Sequence, residues 1–188
     1  ALATARDSYF LEVYDSKTGG IREGYLPGKA GVVTEVDTMT HQTKTWKVGS
    51  VPQGIDRDST TGDLYVVNSA DRSLSVIRAA SGEVQTFSLA SSFTGFQRPM
   101  RIKIDQARQR FYVTDYLGAV IAFSLADRRE VARAPVGLLT IDLAYTPSGR
   151  LAVTSMEGTV VLLDLNTFTE VKRFSGIGLN AYGIASGQ

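Results

Sequence analysis

The sequence predicts an all-β fold built from repeated four-stranded antiparallel units, and three observations predict it. First, three segments repeat one pattern: LYVVNSADRSLSVIRAASGEV from Leu64, FYVTDYLGAVIAFSLADRREV from Phe111 and LAVTSMEGTVVLLDLNTFTEV from Leu151. Second, the Glu-Val pairs that open the last run of each unit, at Glu83, Glu130 and Glu170, are spaced by 47 and 40 residues, the period of a four-strand repeat. Third, apolar residues alternate at period two between turn clusters such as TTGD, SGE and PSGR, while helical periodicity is nearly absent. A sheet of this kind has two apolar faces and must be sandwiched between neighbours. The units therefore read as the blades of a β-propeller, with strands a to d running from the central channel outward. An ordinary β-sandwich is the competing architecture, and its strands rarely repeat so regularly.

Each element follows from the repeat register. An inner strand a precedes each unit, GIDRD around Ile55, RIKID around Ile104 and IDLAY around Ile141, and a fourth, AYGIA around Ile184, stands near the end. The 188 residues thus read as a single β-propeller domain. Regular blades fall at 51–98, 99–138 and 139–178, and 179–188 is the inner strand of a next or closing blade, able to pair with residues 1–5. The stretch Ala126 to Ala134 is rich in helix formers, but it falls where the other repeats place a turn and a strand, and register outranks propensity. Residues 1–50 are irregular. Residues 1–21 align without a gap on 64–84, yet GVVTEVDTMTHQTKTWKV from Gly31 also reads as strands c and d, with Thr43 in the Glu83 position. Two strands are missing there, a hairpin has been inserted, or a stretch between about Leu26 and Gly31 is absent; the sequence leaves all three open.

Composition narrows the chemistry. With 43% hydrophobic residues the chain can bury a core. Its 20 Lys and Arg against 19 Asp and Glu give a net charge of +1, so any charged ligand must meet a local patch. Cysteine is absent and His41 is the only histidine, which removes disulfide scaffolds, thiol nucleophiles, Cys/His zinc sites and most Ser-His-Asp arrangements. No apolar run approaches the roughly 18–20 residues of a spanning helix, so no membrane span is expected.

At LYVVN, FYVTD and LAVTS the chain resembles the YVTN-repeat family of β-propellers. Tyr65, Val66 and Asn68 match that run in the first unit, Tyr112, Val113 and Thr114 in the second, and Val153 and Thr154 in the third. GKAGVVTEVDTMTHQTK is similar to the early part of a seven-bladed bacterial periplasmic member. Four to five blades are visible here, so the resemblance implies an incomplete part of a seven-bladed ring, completed by missing blades or by another chain. It also implies a periplasmic or otherwise exported location and a DNA-binding role, with no individual residue carried over. WD40-like propellers host many functions, so the motif marks a fold more than an activity.

Loop lengths choose a face. With alternating strand directions, b-to-c loops and d-to-a connections emerge together, and a-to-b and c-to-d turns emerge opposite. The second group is short and uniform. The first includes SLASSFTGFQRP and, under the insertion reading, residues 6–30, and variable loops on a rigid scaffold carry binding. Arg6, Arg22, Tyr25, Lys29, Arg72, Phe96, Arg98 and Tyr116 are the candidate ligand-binding residues there. Cations with aromatic planes suit an anionic ligand such as single-stranded DNA. The same residues also suit solvated loops and rim packing, which is the commoner role at so small a net charge. Arg101 lies on an inner strand, lining the channel or facing a carboxylate such as Asp105.

The expected function is therefore non-enzymatic binding of a macromolecule or anionic ligand, without a cofactor. The alternative is a divalent-metal-assisted hydrolase or lyase: Asn68, Asp115 and Ser155 end strand b in successive blades, with Glu157 beyond, and such oxygens at a channel mouth could hold Ca²⁺ or Mg²⁺. Turns favour the same residues for backbone bonding, the simpler reading. A structural or adhesive repeat module is the third. His41 reads as a solvated turn residue, Trp46 as packing between blades or at an outer edge, and the glycines between Gly19 and Gly31 as turns.

Overall fold

The computed structural model describes residues 2–5, 10–15, 20–25, 30–95, 97–179 and 181–185, with side chains from residue 30 onward. The described elements are all strands: β1 (Leu2–Ala5), β2 (Phe10–Asp15), β3 (Gly20–Tyr25), β4 (Val32–Val36), β5 (Thr43–Lys47), β6 (Pro52–Arg57), β7 (Leu64–Asn68), β8 (Ser73–Ile77), β9 (Val84–Ser88), β10 (Pro99–Asp105), β11 (Arg110–Asp115), β12 (Ala119–Ser124), β13 (Glu130–Pro135), β14 (Thr140–Tyr145), β15 (Leu151–Ser155), β16 (Thr159–Leu163) and β17 (Glu170–Ser175). They form three four-stranded antiparallel sheets, β6–β9, β10–β13 and β14–β17, each in sequence order, preceded by a three-stranded sheet β1-β4-β5. These are the blades of an incomplete β-propeller. The helix-forming residues before Ala134 make a turn and then β13, because the ladder to β12 is available to them.

The N-terminal irregularity resolves into an inserted hairpin. β1 pairs with β4, Leu2 opposite Glu35 and Ala5 opposite Val32, while β2 and β3 pair only with each other. The gapless alignment of residues 1–21 on 64–84 therefore stops at β1. Register also moves one assignment: the N–H groups of Asp37, Arg78, Ser124 and Asp164 bond the carbonyls of Gln42, Glu83, Arg129 and Thr169, so Thr43 is equivalent to Val84, Glu130 and Glu170, and Glu83 stands one position earlier. The segment around Ile184 is not a strand. A strand needs a ladder partner, and among the described residues it finds only the Asp142 carboxylate, which accepts the Ile184 N–H at 3.1 Å.

Side chains alternate across each sheet, so each blade offers one face to its predecessor and one to its successor. Val33 and Val48 meet Leu64, Val66 and Ile77 between the first and second blades, with Trp46 packed alongside. Tyr65, Leu74 and Val76 meet Phe111, Ile121 and Phe123 at the second junction. Tyr112, Val120 and Ala122 meet Leu151, Val161 and Leu163 at the third. Each such large side chain contributes about 1.5–3 kcal/mol on burial. The last blade's far face repeats the pattern uncovered: Phe174 is 40% exposed, where its equivalent Ala134 is buried.

Near the axis every inner strand carries a bulge, at Pro52/Gly54, Pro99/Ile102 and Thr140/Leu143. A bulge leaves ladder groups unmatched. In the third blade the Thr114 hydroxyl takes them up: it accepts the Arg101 N–H at 2.9 Å and donates to the Ile141 carbonyl of the next blade at 2.9 Å. Thr154 accepts the Asp142 N–H at 3.3 Å in the same way. In the second blade Val67 stands there, and Gly54 lets the chains close up; a Cβ on it would lie 2.7 Å from the Arg101 Cα.

Outer turns share a second device. An oxygen side chain at the first residue caps three c-to-d turns, as Asp37 Oδ1 accepts the Met39 and Thr40 N–H groups and Asp164 Oδ1 those of Asn166 and Thr167, with Ser124 alike; where Arg78 stands instead, Asp63 Oδ1 accepts the Ala79 N–H at 2.9 Å. The residue before the last of the turn is then left-handed: His41 (φ 59°), Gly82 (72°), Arg128 (63°) and Phe168 (56°).

Two outcomes follow. Thr114→Val strands two polar groups and should cost about 2 kcal/mol, lowering Tm by roughly 4–8 °C, with Thr114→Ser recovering most of it; an unchanged Tm refutes the bridging role. His41→Gly removes left-handed strain at an exposed turn and should raise stability by up to about 1 kcal/mol in urea unfolding; a loss would contradict it.

Candidate functional site

The face carrying the longer connections is built around residues 89–98, between β9 and β10. Phe93, fully buried, anchors this loop in the second junction, its ring 6.3 Å from that of Phe123. Gln97 holds the other end: its Oε1 accepts the Thr94 N–H at 2.9 Å and its Nε2 donates to Asp115 Oδ2 at 2.8 Å. Asp115 Oδ1 accepts the Arg98 N–H at 3.0 Å and the Leu117 N–H at 3.3 Å. Burial pushes the Asp115 carboxyl above its ordinary range, with those N–H groups pulling the other way.

Three sequence-predicted residues come together on this loop. Arg72 turns its Nη2 to the Gly95 carbonyl, and Arg98 Nη1 donates to the same oxygen at 3.0 Å and to the Gln97 carbonyl at 2.7 Å. Tyr116, half-buried, donates its backbone N–H to the Arg98 carbonyl at 3.0 Å. Two guanidinium groups thus share one carbonyl, with an aromatic residue at their base. Arg22 and Tyr25 lie on β3, opposite Val13 and Phe10 in the inserted hairpin. Arg6, Lys29 and Phe96 lie outside the described residues.

Asn68, Asp115 and Ser155 are fully buried; Asp115 and Ser155 face connections, and Asn68 faces the neighbouring strand β8. Asn68 Nδ2 donates to Ser73 and Ser75 Oγ, both at 3.0 Å, and Ser155 Oγ donates to the Leu138 carbonyl at 3.0 Å. Asp115 and Ser155 act as internal caps for loops and Asn68 ties β7 to β8, and no group of three or more His, Asp or Glu set to hold a metal occurs among the described residues. Arg101 meets a neighbouring carboxylate, but Asp142 rather than Asp105. Its Nη1 donates to the Gln53 carbonyl of the preceding blade and its Nε lies 4.0 Å from Asp142 Oδ1 of the following one. Asp105 belongs instead to Arg108, at 3.1 Å, and the Tyr112 hydroxyl, at 3.0 Å, because four residues of extended strand hold it about 13 Å from Arg101. Lys103 and Asp56 pair across inner strands at 3.5 Å, so charges on this wall are matched. His41 is an exposed turn residue.

The sequence reading missed two clasps. Arg133 Nη2 donates to Glu130 at 2.9 Å and to the Ser92 carbonyl of the preceding blade's connection at 2.7 Å. Arg173 repeats this with Glu170 and the Val136 carbonyl, the latter at 2.6 Å. The signal was an Arg three residues after the Glu of two repeats, which places both on one strand's rim.

No protein-family model matches the chain, and neither does any curated protein. Among solved structures, hydrazine synthase of Kuenenia stuttgartiensis is similar to it at a TM-score of 0.64 and 19% identity, over 76% of this chain and 42% of that one. The WD40 β-propeller domain of Doa1 is similar at 0.59 and 11% identity, over 83% and 53%. The chain spans about half or less of the length of each. At these identities the likeness is one of fold: the chain has a β-propeller fold, WD40-like in its blades.

Proposed function

We propose that this propeller is a non-enzymatic binding module that takes an anionic ligand, single-stranded DNA first, on the face where Arg72, Arg98 and Tyr116 gather. The observation carrying this reading is the convergence of both guanidinium groups on the Gly95 carbonyl, which concentrates positive charge on a loop pinned by Phe93 and Gln97. A preordered cation pair loses little entropy on meeting a phosphate, and an adjacent aromatic residue suits base stacking. The inserted hairpin, bearing Arg22 and Tyr25, leaves the first blade on the same b-to-c side and would extend the surface. Membership of the YVTN-repeat family belongs to the same proposal, supported by the hydroxyl bridges at Thr114 and Thr154, and an exported location is proposed only as what that membership would imply. So does a partner or further blades over the far face of β16 and β17, supported by the exposed Phe174.

A fluorescence-polarisation titration with single-stranded DNA at two salt concentrations tests the reading. Saturable binding that weakens with salt, and several-fold more with Arg72→Ala and Arg98→Ala combined, is the expected result. Binding that is absent, or insensitive to salt, rejects it.

A further inference from the structure

The rim between the second and third blades differs from its neighbours. The left-handed turn position places a different residue at each junction. At the third, Phe168 fills the slot, 6% exposed, its ring 5.6 Å from that of Tyr112. At the first, Gly82 presents no side chain, and the space where one would begin is flanked by Trp46 Nε1 at 3.4 Å and Lys44 Nζ at 3.5 Å. At the second, Arg128 lies flat on Phe87, its guanidinium carbon 3.8 Å from the ring centre, and a groove of about 680 Å³ remains beside it.

Two features of that groove are unmatched. One is charge. Arg128 Nε is shielded from solvent and has no hydrogen-bond partner, and the side chain's one hydrogen bond is from Nη1 to the Ala126 carbonyl at 3.5 Å. The nearby carboxylates are taken, Asp127 by Arg129 at 3.6 Å and Glu130 by Arg133 at 2.9 Å. The other is backbone. β9 is the edge of its sheet. Leu89 N–H bonds the Arg72 carbonyl and the Glu83 carbonyl bonds Arg78 N–H, so Gln85 and Phe87 face β8, and by alternation Thr86 and Ser88 turn their N–H and C=O groups outward. Thr86 and Ser88 line the groove, over a floor of Phe87, Leu89 and Phe123.

We propose that this groove docks an extended peptide segment bearing acidic side chains, added to β9 as a fifth strand. The outward groups of Thr86 and Ser88 supply main-chain pairing, the floor receives alternate apolar side chains, and an acidic side chain meets the uncompensated Arg128. The site lies at the outer rim; Leu89, Ser91 and Ser92 at the start of the 89–98 loop line it, but neither Arg72 nor Arg98 does, so it does not depend on the DNA reading. Nucleic acid could answer the charge of Arg128 but could not complete the ladder.

The test uses the full chain and a short fluorescein-labelled peptide alternating valine with glutamate, read by polarisation, against the same peptide with lysine for glutamate. Saturable binding of the acidic peptide is expected, weakened about tenfold or more by Arg128→Gly, which keeps the turn geometry, and by Thr86→Pro, which removes an outward N–H. Circular dichroism of both variants establishes that the fold persists; if Thr86→Pro unfolds, Arg128→Gly and the lysine peptide decide. Absent binding, equal affinity for the lysine peptide, or affinity unchanged by Arg128→Gly overturns the proposal. So does loss with Arg128→Gly alone while folded Thr86→Pro binds normally, since a bare charge contact would explain that.

Discussion

The structure depends on how inner strands are brought together around an axis. Strands that fan outward must crowd at their inner ends, and the bulges at Pro52/Gly54, Pro99/Ile102 and Thr140/Leu143 relieve that crowding at the cost of ladder bonds. The Thr114 hydroxyl restores what the bulge gives up, and in the same stroke reaches the next blade through the Ile141 carbonyl. One hydroxyl, donor and acceptor at once, therefore closes a defect within a blade and fixes the distance between blades. This gives the third letter of the YVT run a physical role that valine at 67 cannot fill; opposite it, Gly54 lets the next blade's backbone approach closely instead.

Charge is distributed by the same logic. Inner-strand ions pair with the adjoining blade, Lys103 with Asp56 and Arg101 with Asp142, and the Glu-Arg clasps of β13 and β17 each hold the preceding blade's connection. Two ion pairs thus set blade against blade, while the clasps are ion pairs within one strand whose arginines reach the preceding connection through carbonyls. A net charge of +1 is what such pairing leaves behind, and it conceals local imbalance at Arg128.

Strands, turns and blade register were legible because they are local: period-two alternation fixes faces, and turn residues fix ends. Partners across junctions were not. Asp105 looked available to Arg101 from sequence proximity, yet four residues of extended strand keep them apart, so Asp105 pairs with Arg108 and Tyr112 while Arg101 finds Asp142 on the next blade's inner strand. Asn68, Asp115 and Ser155 read as turn residues, but their complete burial follows from long connections folding back over strand ends. The inserted hairpin was one of three open readings because β1 and β4 pair across residues whose alternation carries no record of distance. The Arg72 and Arg98 convergence was readable only as a shared face, since the carbonyl that joins them belongs to a glycine.

The capped outer turn has a consequence for how such a chain diversifies. Its backbone path is set by the oxygen cap and by one left-handed residue, and it is the same for histidine, glycine, arginine and phenylalanine. The side chain there is consequently released from any duty to the fold of its own blade, and at Gly82, Arg128 and Phe168 the position faces the seam with the preceding blade. Each seam carries one independently replaceable plug, so a ring of nearly identical blades can vary its rim, sealed at one seam and open at another, by single substitutions that leave every strand in place.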